Sequence, residues 1–361
     1  NALLLVSTPG TYTVTVTSAN GCFDTTSIEI TQNITLPTPG ITNNTGVTEL
    51  TCSVTEISLT ATGGDAYSWS DGTTVVGTNA LLLVSTPGTY TVTVTSDNGC
   101  FDTVSIEITQ DVDLPAAPIS GGDQSDCSLD PIQTLTASAS VGAGETLTWY
   151  DAPSGGSVVL DPSLSSVGSV TYYAEASDDI TGCVSLTRTA VSLEIFAVPD
   201  APISGGDQTA CALDPVQTLT ALASVGAGET LTWYDAPSGG NAVVDPSLAA
   251  IGSVTYYAEA SDNITGCLSF SRTAVTLEIL ETPTGAITNN TGATELTCSV
   301  TEISLTATGG DAYSWSDGTT VVGTDALLLV SIPGTYTVTV TATNGCFDTD
   351  FVEITQDVTP P

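Results

Sequence analysis

Histidine, lysine and methionine are absent from this sequence, and Arg188 and Arg272 are its only basic side chains. Without histidine or lysine, the Ser–His–Asp, Cys–His and Ser–Lys arrangements that activate a nucleophile cannot be assembled. Carboxylate pairs could still hydrolyse glycosides, but the acidic residues recur on turn-like segments in repeat after repeat, and an enzyme is not expected. Two arginines against 40 acidic residues leave no basic cluster to neutralise phosphates, which excludes nucleic acid and anionic membrane surfaces as partners. No apolar run approaches the ~20 residues of a membrane-spanning helix; Ala80–Val84 is among the longest. No long segment carries apolar residues at i, i+3, i+4 spacing, so helices are not expected. With no C-x-x-C pair and no histidine, a zinc site is excluded too.

What is present is acid, threonine and alternation. The formal charge is −38, yet 41% of the 361 residues are hydrophobic, too many and too regularly placed for a disordered acidic chain. Such a charge favours solubility and is well screened in a salty exterior. Ile57, Leu59 and Ala61 alternate with Ser58, Thr60 and Thr62; Tyr90, Val92 and Val94 alternate with threonines; Val104, Ile106 and Ile108 share one face. This period of two, rich in β-branched residues, predicts half-buried antiparallel strands. Clusters such as Gly63-Gly64-Asp65 and Asp97-Asn98-Gly99 punctuate them.

Two kinds of repeat organise the chain. Type A covers about 36–113 and 282–361; residues 43–78 match 289–324 except for Val47 against Ala293. Residues 1–35 repeat the rear half of type A, since 1–18 recur identically at 79–96. Type B covers about 114–198 and 199–281, with VGAGETLTWYDAPSGG in both. The order is half A, A, B, B, A, and because the chain opens inside a repeat it is expected to be a segment of a longer polypeptide. The boundaries carry proline, as in Leu36-Pro37 and Val198-Pro199, which stiffens short linkers. Trp69, Trp149, Trp233 and Trp315 occur once per complete repeat at matching places. About seven strands around one tryptophan predict an all-β fold, a tandem array of immunoglobulin-like β-sandwich domains. Strands of about seven residues give domains of some 35 Å and a rod on the order of 150 Å.

Each complete repeat holds one early and one late cysteine, at an interval constant within each type. The expected bonds are one intradomain disulfide per domain: Cys52 with Cys100, Cys127 with Cys183, Cys211 with Cys267 and Cys298 with Cys346. Cys22 is left over, and its partner is expected upstream of this chain. The late cysteine follows a turn and is placed in the hairpin between the last two strands. Disulfides imply an oxidising, extracellular or cell-surface location. Loops this long would stabilise by about 4 kcal/mol each.

Other candidates are weaker. Asp123, Asp126 and Asp130, with Glu175, Asp178 and Asp179, could present oxygen ligands to Ca²⁺ near a domain boundary; the second type B copy keeps Asp207 and Asp214 but has Ala210 where Asp126 stands. No other cofactor is expected, and turn formation is the plainer reading of these acids. Arg188 and Arg272 stand at equivalent positions and are expected to pair with a carboxylate on a neighbouring strand. Asn33, Asn43, Asn263 and Asn289 begin N-glycosylation sequons.

The motifs YSWSDG…PGTYTVTVT…NGC of type A and LTWYDAPSGG…VTYYAEAS…TGC…RTAV of type B resemble the immunoglobulin-like repeats of giant Bacteroidota cell-surface proteins, including gliding-motility adhesins and proteins exported by the type IX system. The resemblance covers essentially the whole chain. It implies an extended stalk or filament outside the outer membrane, with adhesive tips elsewhere. It also implies O-glycans at Asp-Thr followed by a small or apolar residue, which makes Thr25 and Thr103 candidates; Thr349, before Asp350, departs from the pattern. The leading expectation is a structural stalk segment of a surface adhesin, partnered by neighbouring repeats of its own polypeptide. Two alternatives stand beside it. One is an array binding surface polysaccharide through exposed aromatic rings. The other is a filament subunit whose half domain 1–35 is completed by another copy through β-strand addition.

Overall fold

The computed structural model describes residues 2–213 and 215–359, and every regular element among them is a β-strand. Two compact units are distinguished. The first holds residues up to Gln124 with Leu135–Leu164 and Ser169–Leu193; the second holds Ser125–Thr134, Ser165–Gly168 and the chain from Glu194 onward.

Within the first unit, the repeat at 36–113 is a two-sheet sandwich. Strands Gly40–Asn43, Ile57–Thr62 and Leu81–Val84 form one sheet; Glu49–Leu50, Phe101–Gln110, Gly88–Thr95, Ala66–Ser70 and Val75–Gly77 form the other, in those orders. The alternation in sequence is the reason. Ile57, Leu59 and Ala61 point inward from one sheet, and Tyr90, Val92 and Val94 from the other, enclosing Trp69. The threonines between them face outward, where they stay hydrated. The Trp69 indole N–H donates to the carbonyl of Asn79 at 3.0 Å, which satisfies its one polar group inside the core. The Tyr90 hydroxyl donates back to the carbonyl of Thr86 at 3.0 Å, a corner known in immunoglobulin-like sandwiches. Gly63 has φ +100°, and a Cβ there would lie 2.0 Å from the carbonyl oxygen of Thr38, so only glycine lets the chain entering the repeat pass so close.

In the second unit, the repeat at 282–361 copies this sandwich around Trp315. The type B repeat at 199–281 differs. Its main sheet has the order Gln208–Cys211, Thr273–Leu280, Gly252–Asp262, Glu229–Tyr234, Ala242–Val243, faced by two short pairs, Ile203–Ser204 with Ala223–Ser224 and Leu219–Thr220 with Ser247–Leu248. Its core of Ala221, Trp233, Ala258, Val275 and Leu277 is smaller than that of type A. The first type B copy builds the same core from Ala137, Trp149, Ala174, Val191 and Leu193. Residues 1–35 supply only a hairpin, Gly10–Thr17 against Phe23–Ile30.

The disulfides do not follow the expected pairing. The bonds are Cys52–Cys183, Cys127–Cys267 and Cys211–Cys346, with Cys22, Cys100 and Cys298 as free thiols. The intradomain bonds Cys52 with Cys100, Cys127 with Cys183, Cys211 with Cys267 and Cys298 with Cys346 are therefore corrected: the early cysteine of one repeat bonds the late cysteine of the next. The sandwich itself explains the difference. The early short strand runs parallel to the last strand and pairs with its far end, Leu50 opposite Gln110, so Cys52 lies at the pole where the chain leaves the repeat. Cys100 lies just before Phe101, where that same strand begins. Nine rises of roughly 3.3 Å separate the two poles by about 30 Å, whereas bridged Cα atoms stand no more than about 7 Å apart. Leu296 opposite Gln356 keeps Cys298 from Cys346 in the same way. Cys211 pairs with Leu280, the last residue of a strand that begins after Cys267.

Candidate functional site at the repeat junctions

The chemistry of this chain concentrates at the poles of the sandwiches. At the exit pole of the repeat 36–113, Thr51 and Val54 close a tight turn, with Thr51 N–H donating to the Val54 carbonyl at 2.9 Å and Val54 N–H donating to Thr51 Oγ1 at 3.0 Å. The turn holds Cys52 and Ser53 outward. Ser53 donates twice to the carbonyl of Thr181, from its N–H at 3.1 Å and from its hydroxyl at 3.0 Å. Thr181 belongs to the late hairpin of the following repeat. There Asp178 Oδ1 accepts from the N–H of Thr181 at 2.7 Å, its hydroxyl at 2.9 Å and the N–H of Ile180 at 3.0 Å. These bonds, led by the Thr181 N–H, hold the Asp178 carboxyl below its ordinary range. Gly182, at φ +69°, turns the chain into Cys183, whose Cα is 4.9 Å from that of Cys52. A Cβ on Gly182 would meet the Ser53 Cβ at 2.8 Å.

The second type B hairpin repeats this geometry with Asp262, Thr265 and Gly266, and its Cys267 bonds Cys127 at a Cα separation of 5.6 Å. A Cβ on Gly266 would meet nothing within 4 Å. The type A hairpin uses asparagine instead. Asn344 Oδ1 accepts from the Cys346 N–H at 3.0 Å, while Asn344 Nδ2 donates to the carbonyl of Glu281 in the preceding linker at 2.8 Å. Thr282 Oγ1 donates to Ala212 at 2.7 Å, beside the Cys211–Cys346 bond.

The two arginines form latches inside the type B repeats. Arg188 Nε donates to Glu175 at 2.9 Å, its Nη1 donates to the carbonyls of Ala152 and Gly155 at 2.8 and 2.6 Å, and its guanidinium lies 3.3 Å from the Tyr150 ring centroid. Arg272 does the same with Glu259, Ala236, Gly239 and Tyr234. Burial first, and the neighbouring glutamate second, push both tyrosine hydroxyls above their ordinary pKa. The carboxylate partner on the adjoining strand was foreseeable; the stacking on tyrosine and the capture of the loop carbonyls were not. Both basic side chains are thus occupied within their own repeats.

The four indoles lie in the cores: Trp69 and Trp315 are fully buried, and Trp149 and Trp233 are buried against Ala174 and Ala258. Asp123 accepts from the N–H of Ser192 and Asp126 from the N–H of Cys127, both at 2.8 Å. Glu175 is taken by Arg188 and Asp179 by the Thr146 hydroxyl. Asp214 lies outside the described residues. Among the described residues, no three His, Cys, Asp or Glu side chains are grouped so as to hold a metal ion, so Asp123, Asp126 and Asp130 do not make a calcium site. Thr25 and Thr103 are both exposed, each with its N–H bonded to the preceding aspartate at 2.8 Å. Asp71 and Asp317 each close a turn; the N–H of the third residue on, then the hydroxyl and N–H of the second, lower both carboxyls to about 2.

The family model for "Ig-like domain CHU_C associated" matches residues 115–196 and 199–280, one match for each type B repeat. A search of curated proteins found no match. Among solved structures, the chain is similar to the N-terminal eight Ig domains of Down Syndrome Cell Adhesion Molecule isoform 1.30.30, at 12% identity and a TM-score of 0.31, covering 97% of this chain and 59% of that one. It is also similar to extracellular domains 3-5 of Drosophila OTK, at 14% identity and a TM-score of 0.30, covering 68% of this chain and 100% of that one. At such identities the likeness is one of fold alone. The chain is an all-β protein of tandem immunoglobulin-like domains.

Proposed function

We propose that this chain is a structural segment of a large extracellular surface adhesin or filament, one that supplies length and resists bending. In this reading it divides into half a type A domain at 1–35 and whole domains at 36–113, 114–198, 199–281 and 282–361. The observation that carries it is the disulfide pattern: each of the three bonds ties a repeat to the one after it. A junction with a short proline-bearing linker has one pivot; a second covalent tether across the same junction removes most of the bending that pivot allows. Such bonds persist only in an oxidising compartment, which supports a surface or secreted location, and export by the type IX route and a part in gliding belong to the same proposal. Polysaccharide binding is less favoured, because the indoles that would stack on sugars are buried.

Small-angle scattering of the chain before and after reduction tests the proposal, with circular dichroism to verify that the repeats stay folded. Reduction is expected to broaden the distribution of interatomic distances without loss of β-structure. An unchanged distribution would show that the bonds do not set the bending of the array, and would remove the basis for a stiffening role.

A further inference from the structure

Residues 1–18 and 79–96 have the same sequence and different surroundings. Val92 and Val94 are 0% exposed, while their counterparts Val14 and Val16 are 50% and 66% exposed. Leu4 and Val6, the counterparts of the buried Leu82 and Val84, line an open apolar cleft with Tyr12, Val14 and Ile28. What covers this face in the complete repeat is known residue by residue: Leu50, Ile57, Leu59, Ala61 and Trp69, all from the front half, 36–78.

A second, independent observation concerns Cys100. Its hairpin touches the preceding linker as the last repeat's hairpin does: Asn98 Nδ2 donates to the carbonyl of Thr35 at 2.8 Å, as Asn344 Nδ2 donates to that of Glu281. At the latter junction, the late cysteine is bonded to the early cysteine of the repeat before it. Cys100 is a half-buried free thiol in the same position. The early cysteine it lacks would sit two residues beyond a short strand pairing with the end of Phe23–Ile30 and the residues after it, as Leu50 pairs with Gln110. That strand, too, belongs to a type A front half.

We infer that the hairpin 1–35 is a docking site for a type A front half, a polypeptide segment of the kind seen at 36–78, and that docking delivers that segment's early cysteine to Cys100. One occupant satisfies both the open apolar face and the unpaired thiol. The inference rests on the tandem-array reading above, but it concerns a type A to type A junction, which none of the three observed bonds supplies.

The probe is a synthetic peptide with the sequence of Leu36–Thr78, its cysteine capped as a mixed disulfide with glutathione, added to the full chain. The Cys100 thiolate attacks the peptide sulfur; the peptide–glutathione S–S bond breaks, the new S–S bond forms, and glutathione leaves as thiolate and takes up the proton. Adducts at Cys22, Cys100 and Cys298 are quantified by mass spectrometry without reduction. Docking raises the local concentration of the reacting sulfur, so Cys100 is expected to lead the other two by at least about tenfold. In the double variant Val14→Asp, Val16→Asp, whose substitutions lie on the exposed face, that lead is expected to vanish. Three results would overturn the inference. The first is an even spread over the three thiols. The second is a Cys100 adduct no greater than that of a capped peptide of scrambled sequence. The third is a dimer formed hairpin to hairpin in sedimentation that the peptide does not dissociate. Reading the three existing bonds in the same digest keeps failure here distinct from failure of the array itself.

Discussion

Replacing Cys52 with serine separates the two ways in which these cysteines could pair. If the bond closes its own sandwich, the substitution liberates a thiol at Cys100. If it crosses to the next repeat, the new thiol is Cys183 and Cys100 reads as it did before. The structure makes the choice a large one. Phe101–Gln110 is a ten-residue strand, about 30 Å long at roughly 3.3 Å per residue, and Cys52 and Cys100 sit at its two ends. Bringing them within the ~7 Å that a bridge tolerates would mean unravelling most of that strand and withdrawing Ile108, which is 1% exposed, from the core. Its burial alone contributes about 1.5–3 kcal/mol, and the ladder to Gly88–Thr95 would go with it. The assay is peptide mapping without reduction, using a protease that cuts after acidic residues, since two arginines and no lysine leave trypsin almost nothing to cut. Free thiols should rise from Cys22, Cys100 and Cys298 to those three plus Cys183, with Cys127–Cys267 and Cys211–Cys346 unchanged. A peptide joining Cys52 to Cys100 in the unsubstituted chain would refute the geometry of the poles.

Three further predictions follow from single contacts. Gly182→Ala and Gly266→Ala impose the same backbone strain, at φ +69° and +73°, but only the former puts a methyl group 2.8 Å from Ser53; Gly182→Ala should therefore slow formation of Cys52–Cys183 during oxidative refolding more than Gly266→Ala slows Cys127–Cys267, and equal effects would count against a close-packed junction. Arg272→Met strips the partner from a Glu259 side chain only 12% exposed, a loss of about 3–5 kcal/mol for a buried pair; calorimetry should show one transition lowered and the rest in place, and a change under about 1 kcal/mol would mean the latch is ornamental. Asp71 and Asp317, with folded pKa values lowered to about 2, contribute stability that is fully present above the ordinary carboxyl pKa near 3.8 and is lost as pH falls through about 2. Carboxyl titration by NMR should place both midpoints near that lower value. Asp71→Asn should remove part of the acid sensitivity of its repeat, and midpoints near 3.8 would show that the turn does not hold the carboxylate.

Much of the sandwich was legible because alternation is a direct image of burial. Ile57, Leu59 and Ala61 face inward because period two leaves them no other face, and one tryptophan per repeat marks the middle of each core. The position of the late cysteine, in the hairpin before Phe101 or Phe347, could also be read from its Asn-Gly turn. The disulfide partners could not be read from spacing. In a tandem array the interval from an early cysteine to the late cysteine of its own repeat is constant, and so, nearly, is the interval to the late cysteine of the next. The observed separations of 131, 140 and 135 residues are as regular as the intradomain ones. What breaks the tie is the direction of a two-residue strand, Glu49–Leu50, which runs parallel to the last strand and meets its far end. Two residues carry too little pattern to announce a partner. The arginine latches were half visible for a similar reason. A charge in an acidic repeat predicts a carboxylate, but backbone carbonyls at Ala152 and Gly155 leave no trace in the sequence.

The placement of the cysteines divides two tasks that disulfides in small domains usually perform together. None of the four core clusters contains a disulfide; each is built of aliphatic side chains around a tryptophan. Cohesion of a repeat therefore comes from apolar burial, and the bonds are reserved for the order of repeats. That division has a consequence for how such an array can vary. Type A is followed by B at Cys52–Cys183, B by B at Cys127–Cys267, and B by A at Cys211–Cys346, so two hairpins of different sequence serve the same receiving role. In the type B hairpin an aspartate accepts the turn N–H groups, and in type A an asparagine does so while also donating to the linker. Because early and late cysteines sit at opposite poles in both types, any repeat can follow any other without altering either core. If the bonds instead closed each sandwich, the poles would meet only through their linkers, and nothing in the sequence of one repeat would be constrained by its neighbour. Exchanging the two type B repeats within the full chain distinguishes these cases: the staple arrangement predicts the same three kinds of junction bond after the exchange, formed now by the relocated cysteines.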